Sequence, residues 1–255
     1  MLWDANRTSK IFQEMKWLYL FLDLGTWFFP VVLSFDKNVR FIRHWKNTIL
    51  ASVIVGIPFI VWDIYFTKQG VWEFNSRYTL DLFIVNLPVE EILFFIVVPF
   101  ACIFIYECCK YYLKRYTFHG LNQILFFITF GFSIFLLINA PEAQYTVWVF
   151  IAALLVLGWW IFNVKLPFIG VSFTLSIIPF LLINGVLTGA VTDAPIVLYN
   201  DLENSQMRLF SIPFEDLLYS FSLIVSSILT FEFLNRRKLI IEKHSDSRNS
   251  NKMLK

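Results

Sequence analysis

The sequence predicts an all-α integral membrane protein of about seven transmembrane helices, in which helices 1–3 recur as helices 5–7 in the same orientation. Three observations carry this. The chain of 255 residues is 58% hydrophobic and only 16% charged, with a mean hydropathy of +0.64, whereas a soluble domain covers its surface with about 25% charged residues. Seven apolar stretches approach the ~20 residues that cross ~30 Å of hydrocarbon with all backbone hydrogen bonds closed inside the helix. A nine-residue pattern near the third stretch returns near the seventh.

In chain order the stretches are residues 17–35, 48–66, 82–106, 121–139, 146–163, 166–189 and 209–234. The first begins at Trp17 behind Lys16 and lacks a small-residue cleavage site, so it is expected to be a span and not a removable signal peptide. The third and seventh each open on a proline followed by two acids. The fourth connects two three-helix units. This divides the chain into a first unit (1–116), a connecting helix (117–145), a second unit (146–236) and a basic tail (237–255). Cys102, Cys108 and Cys109 lie in or at the end of the third stretch without metal-ligand spacing and are expected to pack as small apolar residues. His44, His119 and His244 fall in loops or the tail and receive no role.

Lysine and arginine set the orientation. Arg7, Lys10, Lys16, Lys68, Arg77 and Arg208 belong to one side, and the other fifteen, seven of them in the tail from Arg236 to Lys255, to the other. The N-terminus is therefore expected outside and the C-terminus inside, in the cytoplasmic membrane of a bacterium. A net charge of +2 gives no ground for a nucleic-acid partner. Membrane lipid accounts for the basic tail as a surface anchor.

The repeat is legible residue by residue. NLPVEEILF (86–94) and SIPFEDLLY (211–219) share, in register, a polar residue, an aliphatic, Pro, an apolar residue, Glu, a second acid, two aliphatics and an aromatic. Upstream, IPFIVWDIYFTKQG (57–70) parallels IPFLLINGVLTGAV (178–191), with Asp63 matched by Asn184. The offsets are 121 and 125 residues, so the loop of the second copy is four residues longer. A shift of four spans preserves orientation, which puts both Pro-acid motifs at one depth on one side of the membrane. Facing units would enclose Glu90, Glu91, Glu215 and Asp216.

Acids inside a membrane cost about 2.5 to 3.5 kcal/mol each at mid-depth and less near a surface. A first-turn acid is favoured by the helix dipole by about 0.3 to 1 kcal/mol, and Asn86 and Ser211 would serve as caps before Pro88 and Pro213. That explains one acid per helix; a doublet in each copy asks for chemistry. Neighbouring carboxyls in a low dielectric cannot both ionise cheaply, so one retains a proton beside one that accepts it. Such a site suits an isomerisation without redox change. Trp62, Trp72, Phe74, Tyr78, Phe94, Phe95, Tyr219 and Phe221 lie in or near the repeated motifs. Aromatic faces stabilise a cation by about 0.5 to 2 kcal/mol without capturing it.

With FIVWDIYFTKQGVWEFNSRY (59–78), NLPVEEILFFIVVPF (86–100) and SIPFEDLLY (211–219), nearly the whole chain resembles the carotenoid lycopene cyclases built from two small membrane units, in their fused form without a phytoene synthase. The resemblance implies a β-cyclase acting on the ψ-end groups of lycopene or a related polyene. An acid protonates the terminal double bond, the neighbouring alkene closes a six-membered ring, and a carboxylate removes a proton. It implies catalytic roles for Glu90, Glu91, Glu215 and Asp216, with Glu90 and Glu91 foremost, and substrate contacts for Trp62, Asp63, Trp72, Asn75, Tyr78, Phe94, Phe95 and Tyr219. It also implies contact with other enzymes of the carotenoid pathway. The second unit departs from the first, with Asn184 in place of Asp63 and no equivalent of Trp72, so one unit could be mainly scaffold. No G-x-G-x-x-G follows a strand, and no cofactor is expected. The competing functions are a proton-coupled transporter or lipid carrier, or a noncatalytic cyclase subunit.

Overall fold

The computed structural model describes residues 15–163 and 166–253. Among them are seven α-helices: α1 (Leu18–Leu33), α2 (Trp45–Gln69), α3 (Val89–Tyr112), α4 (His119–Asn139), α5 (Gln144–Ile161), α6 (Ile169–Leu187) and α7 (Glu215–Met253). Six are long and apolar enough to cross a membrane, α7 through Glu215–Arg237. The seventh, α1, has 16 residues and so rises ~24 Å, short of the ~30 Å hydrocarbon core. Arg7, Lys10 and the side chains of the basic tail beyond Arg237 lie outside the described residues.

Two helix starts differ from the hydropathy reading. The third and seventh apolar stretches do not begin as helices, because their first residues pair as hairpins: β2 (Phe83–Ile84) with β3 (Leu87–Pro88), and β5 (Arg208–Leu209) with β6 (Ile212–Pro213). Pro88 itself is extended, at ψ 149°, and a residue preceding proline is pushed out of the helical region. Helix formation therefore waits for Val89 and Glu215. Nor do Asn86 and Ser211 act as helix caps. Asn86 Nδ2 donates to Ile64 O of α2 (2.9 Å), and Ser211 shares a hydroxyl contact with Thr188 (2.7 Å) just beyond α6. Each polar residue thus ties its hairpin to the preceding helix of its own unit.

The repeat extends to backbone detail. Asp81 and Val85 have positive φ (59° and 63°), and so do Gln206 and Phe210 (61° and 57°), each pair separated by the same 125 residues as the acid motifs. Left-handed valine and phenylalanine are unfavourable choices, so the shared hairpin geometry is imposed by its surroundings.

The two units meet through α3 and α7, which pack on each other at the centre; α1 and α2 flank α3, α5 and α6 flank α7, and α2 also touches α7 as α6 touches α3. Burial follows this order, with 83% of the α7 span and 61% of α3 buried against 22% of the connector α4. The Asn122 side chain pins α4 to the start of α6, accepting from Gly170 N (2.9 Å) and donating to Leu166 O (3.1 Å).

One end of the bundle is closed by a ribbon shared between the units. After α2 ends at Gly70, left-handed at φ 69° as a helix C-terminus favours, β1 (Trp72–Phe74) pairs antiparallel with β4 (Val197–Tyr199), placing Trp72 opposite Tyr199 and Phe74 opposite Val197. Two equivalent asparagines clamp it reciprocally: Asn75 Nδ2 donates to Pro195 O (3.1 Å) and Asn200 Nδ2 to Gly70 O (3.2 Å). At the opposite end Lys110 joins Glu107 (2.7 Å) and Glu232 (2.8 Å), tying α3 to α7.

Candidate active site

Beneath the ribbon lies a chamber of about 40 Å³ whose wall carries three carboxyl groups, Asp63 from α2, Glu91 from α3 and Asp216 from α7. All three are buried. Because α3 and α7 both begin at the acid motifs, the carboxyls sit at one end of the bundle and not at its mid-depth. Short helix starts and the ribbon roof set that position.

The two acids of each doublet have different duties in the structure. Glu90 Oε1 accepts from Leu80 N (2.7 Å), and Glu215 Oε1 accepts from Ser205 N (2.7 Å) and Thr146 Oγ1 (2.6 Å). Each first acid thus holds the loop ten residues before it and stays off the chamber wall. The second acids face inward. Tyr19 Oη donates to Glu91 Oε2 (2.6 Å), and the equivalent Tyr145 Oη donates to Asp216 Oδ1 (2.5 Å).

Beyond the tyrosines the halves diverge. Asp63 faces Glu91 across the same chamber, a second carboxyl beside the first, and Tyr219 Oη donates to Asp63 Oδ1 (3.1 Å). At the matching place Asn184 Nδ2 donates to Asp216 Oδ2 (2.6 Å), which also accepts from Tyr199 Oη (3.1 Å). Asp216 therefore receives three donors, an arrangement suited to a carboxylate. Burial pushes the Tyr199 hydroxyl well above the usual tyrosine range, and the charges of Asp216 and Glu91 add to this, so Tyr199 keeps its proton to donate.

Of the residues expected at the site, Asp63, Trp72, Glu91, Phe94, Asp216 and Tyr219 line the chamber. Glu90 and Glu215 brace loops, and Asn75 clamps the ribbon. Tyr78 is fully buried, and its carbonyl accepts from Tyr19 N (3.2 Å). Trp62 and Phe95 stand behind Tyr219, with ring centroids 5.1 and 6.5 Å from it. The chamber also contains residues that sequence reasoning did not assign to it: Tyr19, Phe74, Tyr145, Phe180, Asn184 and Tyr199. Tyr19 and Tyr145 are 126 residues apart, so extending the repeat to the first span would have found them. Among the described residues no three His, Cys, Asp or Glu side chains group as ligands for a metal ion.

Fold and site together define a helical membrane protein of two like-oriented units that share one aromatic, carboxyl-bearing chamber. The lycopene cyclase family matches the sequence twice, over residues 16–109 and 142–234, once in each unit. The chain belongs to the lycopene cyclase family. Membership indicates lycopene cyclase activity in carotenoid biosynthesis, and with it a carotenoid substrate. Comparisons with curated proteins and with solved structures find no match.

Proposed function

We propose that the protein is a lycopene β-cyclase, an isomerase that closes ψ-end groups to β-rings by acid–base chemistry in the shared chamber. The observation that carries this is the meeting of Asp63, Glu91 and Asp216, contributed by both units, in one buried space walled by Trp72, Phe94 and Tyr219. The Asp63–Glu91 pair supplies the proton to the terminal double bond. The resulting cation lies against aromatic faces while the neighbouring alkene closes the ring. Asp216 removes a ring proton to leave the β double bond. One proton enters the hydrocarbon and one leaves, so atoms and electrons balance without a redox partner. Glu90 and Glu215 position the loops, and Trp62, Asn75, Tyr78 and Phe95 support the wall from behind.

The Lys and Arg distribution supports an orientation with the N-terminus outside and the C-terminus inside a bacterial cytoplasmic membrane, which would place the chamber near the outer surface. The deciding experiment is expression in a cell that accumulates lycopene, followed by product analysis. β-Ring carotenoids are expected, with none from Glu91→Gln protein inserted at the same level. Unchanged lycopene with the wild-type protein, together with proton-gradient-dependent transport in proteoliposomes, would replace the cyclase with a carrier.

A further inference from the structure

The chamber is far smaller than a polyene, and two apolar grooves run from the lipid-facing surface toward it. The first, about 460 Å³, lies between α1, α3 and α6; the second, about 430 Å³, lies between α2, α5 and α7. The internal repeat carries one set of helices onto the other, so the grooves are equivalents. They differ in how they end. Phe94 and Phe180 line both the first groove and the chamber, so these two rings are the partition between that groove and the acid site. The second groove ends on Phe59 and Trp62, whose rings pack against Tyr219 at 5.1 Å each, and Trp62 is further backed by Trp148 at 6.0 Å. An aromatic plug closes it.

The walls differ as well. The first groove has Gly25 where the second has Ile151, 126 residues later. A Cβ added at Gly25 would meet nothing within 4 Å. A glycine inside a helix costs about 1 kcal/mol relative to alanine, and no neighbour crowds Gly25, so the open space beside it is what the glycine provides. Along α3 the groove runs from Phe94 to Ile105, a rise of ~16 Å. Its floor is buried at Val98 and Cys102, while its lips at Phe29 and Leu182 are 66% and 70% exposed.

We infer that the groove between α1, α3 and α6 is the binding channel for the linear polyene of the carotenoid, which enters sideways from the bilayer with its end group directed past Phe94 and Phe180 to the carboxyls. This rests on the cyclase reading. The second groove is a closed relic of the duplication, so end groups are processed one at a time from one side. The chamber holds only a few waters' volume, so the two phenylalanines must turn aside to admit an end group.

The test uses the full-length protein in lycopene-producing cells. Gly25→Leu fills the channel and lowers β-ring product per inserted protein by about tenfold or more, the scale at which an apolar pocket discriminates by a methylene or two. Ile151→Phe, in the plugged groove, changes it by less than about twofold. Ala101→Phe provides a second block from the α3 wall. In a binding readout, Glu91→Gln protein purified from these cells carries polyene absorbance, and Glu91→Gln/Gly25→Leu protein does not. Wild-type turnover in Gly25→Leu and Ala101→Phe would overturn the channel assignment, as would polyene retained by the double variant or lipid acyl chains alone in Glu91→Gln. Failure of the wild type itself to convert lycopene would instead overturn the cyclase reading beneath it.

Discussion

The two halves of the chamber begin alike and end differently. In the first, Tyr19 donates to Glu91 and Asp63 faces the same carboxyl; in the second, Tyr145 donates to Asp216 and Asn184 meets it with an amide. Duplication supplied the same frame twice. Two exchanges, carboxyl for amide at positions 63 and 184 and phenylalanine for tyrosine at positions 74 and 199, leave a pair of carboxyls in one half and three donors around one carboxyl in the other. The asymmetry read from the sequence as a sign that one unit is scaffold is, in this account, a division of labour between acid and base.

Several substitutions break or sharpen that contrast. The largest effect is expected within the doublets. Glu91→Gln or Asp216→Asn should lower conversion by about 10²- to 10⁴-fold, the scale of acid–base catalysis, as read by pigment analysis normalised to inserted protein. Glu90→Gln and Glu215→Gln should instead lower stability by about 1 kcal/mol and leave turnover per folded molecule within a few-fold. Equal losses from all four would erase the distinction between inward and bracing acids.

Exchanging the third members comes next. Asp63→Asn makes the first half resemble the second and should cost about 10²-fold. Asn184→Asp places a second carboxyl beside Asp216 and should cost about tenfold through like-charge crowding. Smaller still, Tyr19→Phe and Tyr145→Phe each remove one hydrogen bond to a carboxyl and should slow conversion about tenfold, equivalent to about 1.5 kcal/mol; a much larger loss from either would give that tyrosine a direct part in proton transfer.

The smallest effect lies outside the membrane and only in the second unit. Arg208 donates to Asp201 and holds that carboxyl below the usual carboxylate range. Its contribution is therefore present above the unfolded carboxylate range and fades as pH falls through the lowered value. Asp201 is 60% exposed, so Asp201→Asn should cost under about 0.5 kcal/mol, measured by thermal unfolding in detergent across acidic pH.

Much of this was legible in the sequence. Apolar length located the helices, and the repeated Pro-acid motif located the place where the units meet, because lipid leaves few other uses for either pattern. The hairpins at Phe83–Pro88 and Arg208–Pro213 were hidden, since an apolar run has the same hydropathy extended or helical. The direction of each acid was also hidden. Adjacent helix residues point ~100° apart, so a doublet places one acid in the chamber and turns its neighbour away, and Leu80 and Ser205, which capture Glu90 and Glu215 through their backbones, carry no side-chain signal. Tyr199 entered only through the register of β1 and β4, a long-range pairing that no local pattern encodes.

The proposed acid step turns on a proton shared by Asp63 and Glu91. Infrared difference spectroscopy of the protein in lipid, titrated through neutral pH, reads protonated carboxyls directly by their C=O stretch. A protonated-carboxyl band that disappears in Asp63→Asn and in Glu91→Gln, and persists in Glu90→Gln, is the predicted result. A band unchanged in both of the first two variants, or lost only with Glu90, would contradict it.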